Sequence, residues 1–375
     1  MRVAFVHDYL TQLGGAERVL AQMHELYPDA PIFTSLYDRR AMGAAFAACD
    51  IRTTWLQRIP GAPRRFRTLL PLYPAAFEAL DLRGYDLVIS STTSFAKGVR
   101  VPQGTLHVCY MNTPTRFLWY PQEYAFEIVP ALARPALRAA LPRLRRWDYS
   151  AAQRPQHIVA NSDNVAARIR ACYHRDSDVA HCPVDVDSFA PAARIEDYYL
   201  VIARLLPYKR VALAIEACNT VRAPLVVAGV GPDEARLRAL AGPTIRFEGW
   251  VDDDRRRALL AQARAVVVPG VEDYGLVALE AAASGRPTVA FAAGGSLETI
   301  VEGETGSFFR EPTPEALAAA LRSFVPEAFS VRALTEHAAR FSPDRFRARM
   351  RELIERYVHD FGAAETAWPA TTSGV

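Results

Sequence analysis

The chain has 375 residues, too many for one ordinary core and about right for two domains. Half of them are hydrophobic and 23% are charged, as in a globular protein, and no apolar run of about 18 residues offers a membrane-spanning helix. Net charge is only +3 and no recognised binding motif accompanies the basic residues, so nucleic acid is not an expected partner.

In chain order, short apolar runs alternate with amphipathic stretches, the pattern of βαβ units in a parallel sheet. Residues 2–7 read as a first strand, ended at once by His7 and Asp8, and not as a signal peptide, which predicts a cytoplasmic location. A loop at 10–15 and a helix at 16–26 follow. Strands are expected at 85–90, 106–111 and 157–161, a loop at 91–94, and a helix at 143–154. Ser162 opens the next helix, with Asp163 and Asn164 in its first turn. The segment 182–191 (CPVDVDSFAP) lacks periodicity and reads as an interdomain linker.

The second half restarts the alternation. Strands are expected at 198–202, 224–229, 245–249, 265–269 and 287–291. Helices are expected between them at 211–218, 233–240, 254–262 and 276–284, then near 314–324 and 343–361. The tail from 362 to 375 is small and polar, and disorder is expected there. The domains are therefore expected at 1–187 and 188–342, with the terminal helix 343–361 packing back on the first.

Charge and cysteine usage add detail. The five cysteines form no C-x-x-C pair and no zinc-like cluster, so reduced, buried thiols are expected. Arg52, Arg58, Arg64, Arg65 and Arg67 form one acid-free basic run; Arg134, Arg138, Arg143, Arg145 and Arg146 form another. Both offer a candidate surface for anionic lipid, or simply a solvated arginine-rich face. Of the 44 basic residues only Lys97 and Lys209 are lysine, which hints that a compact ammonium is wanted at those positions.

In parallel α/β folds ligands bind at the carboxyl ends of strands, and three such loops carry chemistry. Gly14 and Gly15 precede the first helix and let backbone N–H groups approach a phosphate. Arg204 and Lys209 sit after the first strand of the second half and suit a diphosphate. In E-D-Y-G-L-V-A-L-E, Glu272 lies in the loop and Glu280 on the helix, among apolar neighbours that demand a partner for it. Backbone groups around Tyr274, Gly275, Leu276 and Val277 can meet an anionic leaving group, and Asp273 is expected beside them in the donor site, with a helix cap as its plainer alternative. The triplet Asp252–Asp253–Asp254 invites a metal reading, but its place before a helix predicts capping.

Together these stretches, with VHDYLTQLGGAERVL, DLVISSTTSFAKGV, ANSDNVAARI, CPVDVDSF, GVGPDEARLRAL and GGSLETIVEGETG, resemble the retaining glycosyltransferases of family 4 over almost the whole chain. The resemblance implies the GT-B fold, two Rossmann-like domains facing across a cleft. Within the family the chain looks most like bacterial mannosyltransferases of surface-polysaccharide assembly that use GDP-mannose. It implies that Gly14 and Gly15 face the donor phosphates and that Arg204 and Lys209 hold the diphosphate. Glu272 would contact sugar hydroxyls and Glu280 the ribose, while Gly231 and Val251 would border the nucleotide. The acceptor would be a glycan or lipid-linked glycan. The basic runs Arg52–Arg67 and Arg134–Arg146 offer a cytoplasmic protein a peripheral seat at the inner face of the membrane, and with Arg204 and Lys209 supplying the positive charge no cofactor and no metal are expected.

One departure stands out. Asn112 occupies the place where many relatives carry a histidine near the donor sugar, and an amide cannot titrate near neutral pH. His107 is expected to be structural, while His7 and Asp8 are the candidates for a general base. The rival readings are a GT-B epimerase or phosphorylase and a non-catalytic subunit that binds glycan or a partner protein.

Overall fold

The structure is a computed structural model that describes residues 1–121 and 134–367. The first sheet contains β1 (Val3–His7), β2 (Ile32–Thr34), β3 (Ile51–Thr53), β4 (Leu87–Thr92), β5 (Leu106–Met111), β6 (His157–Ala160) and β7 (Asp178–Val179). The second contains β8 (Tyr199–Ile202), β9 (Leu225–Ala228), β10 (Ile245–Gly249), β11 (Ala265–Val268), β12 (Thr288–Phe291) and β13 (Gly306–Phe309). Every pairing is parallel; the orders are β3-β2-β1-β4-β5-β6-β7 and β10-β9-β8-β11-β12-β13. Each order reverses next to its own first strand, between β1 and β4 and between β8 and β11, which is the Rossmann arrangement. Helices cover both faces, so the inner strands β1, β4, β5, β9 and β11 are buried on both sides and read as largely apolar runs, while the edge strands β3, β7 and β10 stay partly exposed.

The structure corrects several boundaries. The short strands β2, β3, β7 and β13 were not expected from the sequence. The strand expected at 85–90 is displaced to Leu87–Thr92, taking in part of the expected loop. The expected linker at 182–191 is not a free strap. Cys182 and Val184 are buried in the first core, and the Val184 N–H donates to the Phe341 carbonyl.

The closing helix runs Pro343–Ala367, so it continues through residues expected to be disordered; the alanine-rich stretch after Gly362 favours helix. Residues 368–375 lie outside the described residues. Phe346, Met350, Leu353, Ile354 and Tyr357 from this helix join Val3, Phe5, Leu106 and Val108 in one apolar cluster. The closing helix therefore completes the core of the first sheet, not of the second.

Candidate active site

The carboxyl ends of the two sheets face each other across a cleft of about 760 Å³. From the first half it is lined by residues after β1 and β4, such as Tyr9, Thr93 and Ser94, and by Asn112 and Arg116. From the second half come Arg204 and Lys209 after β8 and the loop from Glu272 to Val277 after β11. Gly15, Asn112, Arg204, Lys209, Glu272, Asp273, Tyr274, Gly275, Leu276 and Val277 thus meet in one place; Gly14, Gly231, Val251 and Glu280 are not among the lining residues.

The centre is the pair Lys209–Glu272. The ammonium donates to both carboxylate oxygens, at 2.7 and 2.5 Å. Burial pushes the Lys209 ammonium down, but Glu272 and the Tyr208 ring outweigh that and hold its pKa above the ordinary lysine value. Behind Glu272 the turn Gly294–Gly295 packs so tightly that a Cβ on Gly294 would lie 2.4 Å from the Glu272 carbonyl oxygen. The Gly295 N–H donates to that carbonyl at 2.9 Å. Gly275 takes φ +106 and opens the helix Leu276–Ala283, whose first N–H groups and positive dipole end face the cleft.

The glycines divide the work differently from the expectation. The Gly14 N–H does not face the cleft as a phosphate donor; it donates to the Glu17 carboxylate at 2.8 Å. Gly15 is the close-approach residue, since a Cβ there would lie 2.9 Å from Leu276 Cδ1 across the cleft. Gly231 supports rather than lines: a Cβ would lie 2.2 Å from the Leu205 carbonyl oxygen, bracing the loop that carries Arg204. Val251 packs partly buried against the apolar cluster that includes Ala228, Leu260 and Ala278, while its neighbour Trp250 is exposed.

Two expected carboxylates are already engaged. Asp273 does not cap its helix; its carboxylate takes Arg116, at 2.6 and 2.8 Å, and Arg168. Glu280 finds the partner that its burial demands in Arg256, and burial raises its pKa despite that partner. Arg256 also lies 3.7 Å from Asp253, which accepts two hydrogen bonds from Arg18 across the cleft. Asp252 caps the helix Asp253–Gln262 through the Arg255 N–H, and Asp254 pairs with Arg257, so each member of the acidic triplet has a protein partner.

The candidate bases fare badly. Asp8 is buried and accepts from the backbone N–H groups of Thr93, Ser94, Phe95 and Ala96 and from the hydroxyls of Thr92 and Thr93. A carboxylate so saturated organises the loop after β4, its oxygens taken up by these donors. His7 is 1% exposed, lies 3.6 Å from buried Glu17 and is not among the residues that line the cleft. His107 bonds to Ser90 at 2.8 Å, and burial with nearby Arg154 pushes its pKa down to about 3, the structural role expected. Lys97 is structural too: it sits in a buried pair with Asp148, which also accepts from Trp119 and Tyr173. Asn112 lines the cleft; its amide reaches Ser91 and the Thr92 carbonyl only at 3.5 and 3.4 Å.

Sequence reasoning missed Arg116, Arg168 and the Arg18–Asp253 clamp. Arg18 and Arg168 lie inside stretches that carry the family resemblance, but nothing local distinguishes an arginine that crosses the cleft from one that does not. The basic runs keep an exposed share in Arg52, Arg58, Arg64 and Arg65, with exposed Trp55 near them, and in Arg138, Arg143 and Arg146, whereas Arg145 is spent on the Leu118 carbonyl. No helix among the described residues is long and apolar enough to cross a membrane.

Comparison with known proteins agrees with this geometry. Residues 13–188 match the model for Glycosyltransferase Family 4, and residues 189–341 match Glycosyl transferases group 1. The chain is 31% identical over 218 residues to D-inositol 3-phosphate glycosyltransferase of Mycobacterium avium, covering 50% of this chain and 51% of that protein. It is 35% identical over 164 residues to phosphatidyl-myo-inositol mannosyltransferase of Mycobacterium tuberculosis, covering 39% and 43%. The chain thus spans about half the length of the curated relatives it matches. The solved structure of Anabaena Alr3699/HepE in complex with UDP superposes with a TM-score of 0.69 at 17% identity, over 95% of this chain and 100% of that one, which shows a shared GT-B fold. With the two family models meeting at residues 188 and 189, the chain belongs to the group 1, family 4 type of glycosyltransferase.

Proposed function

We propose that this protein transfers a hexose, mannose from GDP-mannose, to a hydroxyl of a glycan or lipid-linked glycan, with retention of anomeric configuration and without a metal. The observation that carries the reading is the Lys209–Glu272 pair facing the N-terminus of the helix Leu276–Ala283 inside the cleft. Lys209, Arg204 and the helix N-terminus concentrate positive charge where a departing diphosphate develops negative charge. Glu272, freed from Lys209 as the phosphate takes that cation, accepts hydrogen bonds from sugar hydroxyls. The bond from the anomeric carbon to the phosphate oxygen breaks while the acceptor hydroxyl attacks from the same face. The acceptor proton passes to the leaving phosphate oxygen, which fits a site whose carboxylate Asp8 is saturated. Glu280 receives ribose hydroxyls once Arg256 swings aside.

The choice of mannose rests on the sequence resemblance and on one relative that is named a mannosyltransferase. The Anabaena protein carries UDP, so the base is the first thing to test. A lipid-linked acceptor would suit the exposed Arg58, Arg64 and Arg65 beside Trp55, which can rest on anionic headgroups. Thermal stabilisation by GDP, UDP and ADP and their sugar conjugates, with and without EDTA, tests the donor. A ligand at about a hundredfold over its Kd adds roughly 2.7 kcal/mol. A GDP-selective shift that survives EDTA is expected; a UDP- or ADP-selective shift replaces the donor, and no shift in folded protein overturns the enzyme reading.

A further inference from the structure

Asp273 follows Glu272 directly, on a loop of the second sheet, yet four side chains of the first half hold it. Arg116 grips the carboxylate with two prongs, Nε to Oδ2 at 2.8 Å and Nη2 to Oδ1 at 2.6 Å. Arg168 makes a single contact to Oδ1. Ser162 and Asn164 donate to the Asp273 backbone carbonyl at 3.1 and 2.9 Å. Both guanidiniums are themselves braced by rings, Arg116 over Tyr208 at 4.9 Å and Arg168 over Tyr120 at 5.3 Å. The next residue, Tyr274, reaches the Cys182 carbonyl of the first half at 3.0 Å.

The segment 272–274 is thereby clamped from two sides. The turn Gly294–Gly295 fixes it from behind, within the second half. The first half fixes it from the front, one peptide away from the Glu272 carboxylate. We propose that Arg116 and Arg168 are positioning residues for the proposed transfer reaction. By holding Asp273 across the cleft they align Glu272 and the N-terminus of the helix Leu276–Ala283 only while the halves are together. Sugar transfer then depends on cleft closure through these two arginines, whereas nucleotide binding, made largely by the second half, does not. This rests on the reading under Proposed function, but the geometry makes a claim of its own. Lysine can reproduce the single contact of Arg168 and cannot reproduce the two-pronged grip of Arg116.

The test uses the full chain with Arg168→Gln, Arg168→Lys and Arg116→Lys. The first readout is amide exchange at Gly295, whose N–H reports on the Glu272 carbonyl, in protein without ligand. The second is kcat and donor KM for sugar transfer, with Kd for the nucleotide. Arg168→Gln and Arg116→Lys should speed exchange at Gly295 by about tenfold and leave strands β8, β9 and β11 unchanged. Both should lower kcat by up to about a hundredfold, the cost of a misplaced group, with donor KM and nucleotide Kd within about threefold. Arg168→Lys should recover most of both readouts. Unchanged exchange at Gly295 in Arg168→Gln and Arg116→Lys overturns the inference. So does faster exchange spread over both sheets, or an Arg168→Lys protein as damaged as Arg168→Gln. Loss of nucleotide binding in the wild type would count against the proposed function alone, because the exchange readout needs no substrate.

Discussion

Replacing Lys209 with alanine strands the Glu272 carboxylate in the cleft, and two separate effects follow. The side chains are 18% and 23% exposed, so the pair is neither buried nor free in water. Removing one partner of a fully buried pair costs about 3–5 kcal/mol, whereas an exposed pair is worth about 0–1 kcal/mol. With roughly a fifth of each side chain in water, a loss of about 2 kcal/mol is expected, or about 4–8 °C in Tm for a cooperative unit of about 150 residues. Turnover should fall further, by about 10²–10³, the usual penalty for removing a group that stabilises developing negative charge. The double variant Lys209→Ala with Glu272→Gln separates the effects. It removes the stranded charge, so about 1 kcal/mol of stability should return while turnover stays low. Because Glu272 raises the Lys209 pKa, the pair stabilises the fold fully below the unfolded lysine value of about 10.4 and is lost as pH rises through the folded one. Initial rates of nucleotide release with acceptor, beside thermal melts from pH 7 to 11, read both quantities. Turnover in Lys209→Ala within about threefold of wild type would refute the assignment of this ammonium to the leaving group.

Glu280→Gln removes a carboxylate whose ionised form burial disfavours, so Tm at pH 7 should hold or rise while nucleotide affinity falls about tenfold or more; a variant that binds nucleotide normally excludes Glu280 from the ribose. Burial pushes Glu298 up, but hydrogen bonds from His181 and from the Asn164 and Asp163 N–H groups outweigh it and lower its pKa. Its contribution is therefore present above about pH 4.3 and lost as pH falls through the folded value; Glu298→Gln should flatten that part of the Tm–pH profile, and an unchanged profile would contradict the assignment. At Gly229, φ is +133 and a Cβ would lie 1.9 Å from the Ala203 carbonyl oxygen, so Gly229→Ala should cost about 3 kcal/mol or more in a denaturant melt. Gly15→Ala meets only the end of the Leu276 side chain, so it should leave Tm nearly unchanged and raise donor KM; the reverse ranking of these two variants would sink the close-approach argument.

What the sequence made legible follows from the range over which each signal acts. Strands β1, β5, β6, β8, β9, β11 and β12 are largely apolar runs and β10 alternates apolar with charged side chains, while the loops after β1, β8 and β11 carry the residues that meet in the cleft. The strands β2, β3 and β7 have two or three residues each, too short for periodicity to speak, and β13, though as long as β8 or β11, reads Gly-Ser-Phe-Phe and offers no continuous apolar run. Glycine identity was visible, but its use was not: Gly14 and Gly15 are adjacent, and only the position of Leu276 and Glu17 decides which of them approaches the opposite half. The same holds for charge. With 42 arginines, composition cannot say that Arg116 and Arg168 reach Asp273 while Arg145 turns to a carbonyl. The burial of Glu280 was legible from its neighbours, its partner Arg256 was not. Asp8 was misread because a carboxylate at the end of a first strand looks equally like a base and like an acceptor for backbone N–H groups; the loop after β4 decides the matter.

The return of the closing helix to the first sheet has a consequence for how the chain is made. The half that a ribosome synthesises first cannot be finished until residues near Tyr357 have emerged, because its core includes Phe346, Met350, Leu353, Ile354 and Tyr357. Through translation of the whole second half, the face of β1 and β5 that these side chains cover stays open to water or to a chaperone. A fragment that ends near residue 187 should be sticky however well its strands pair, and supplying the peptide 343–367 in trans should restore its solubility.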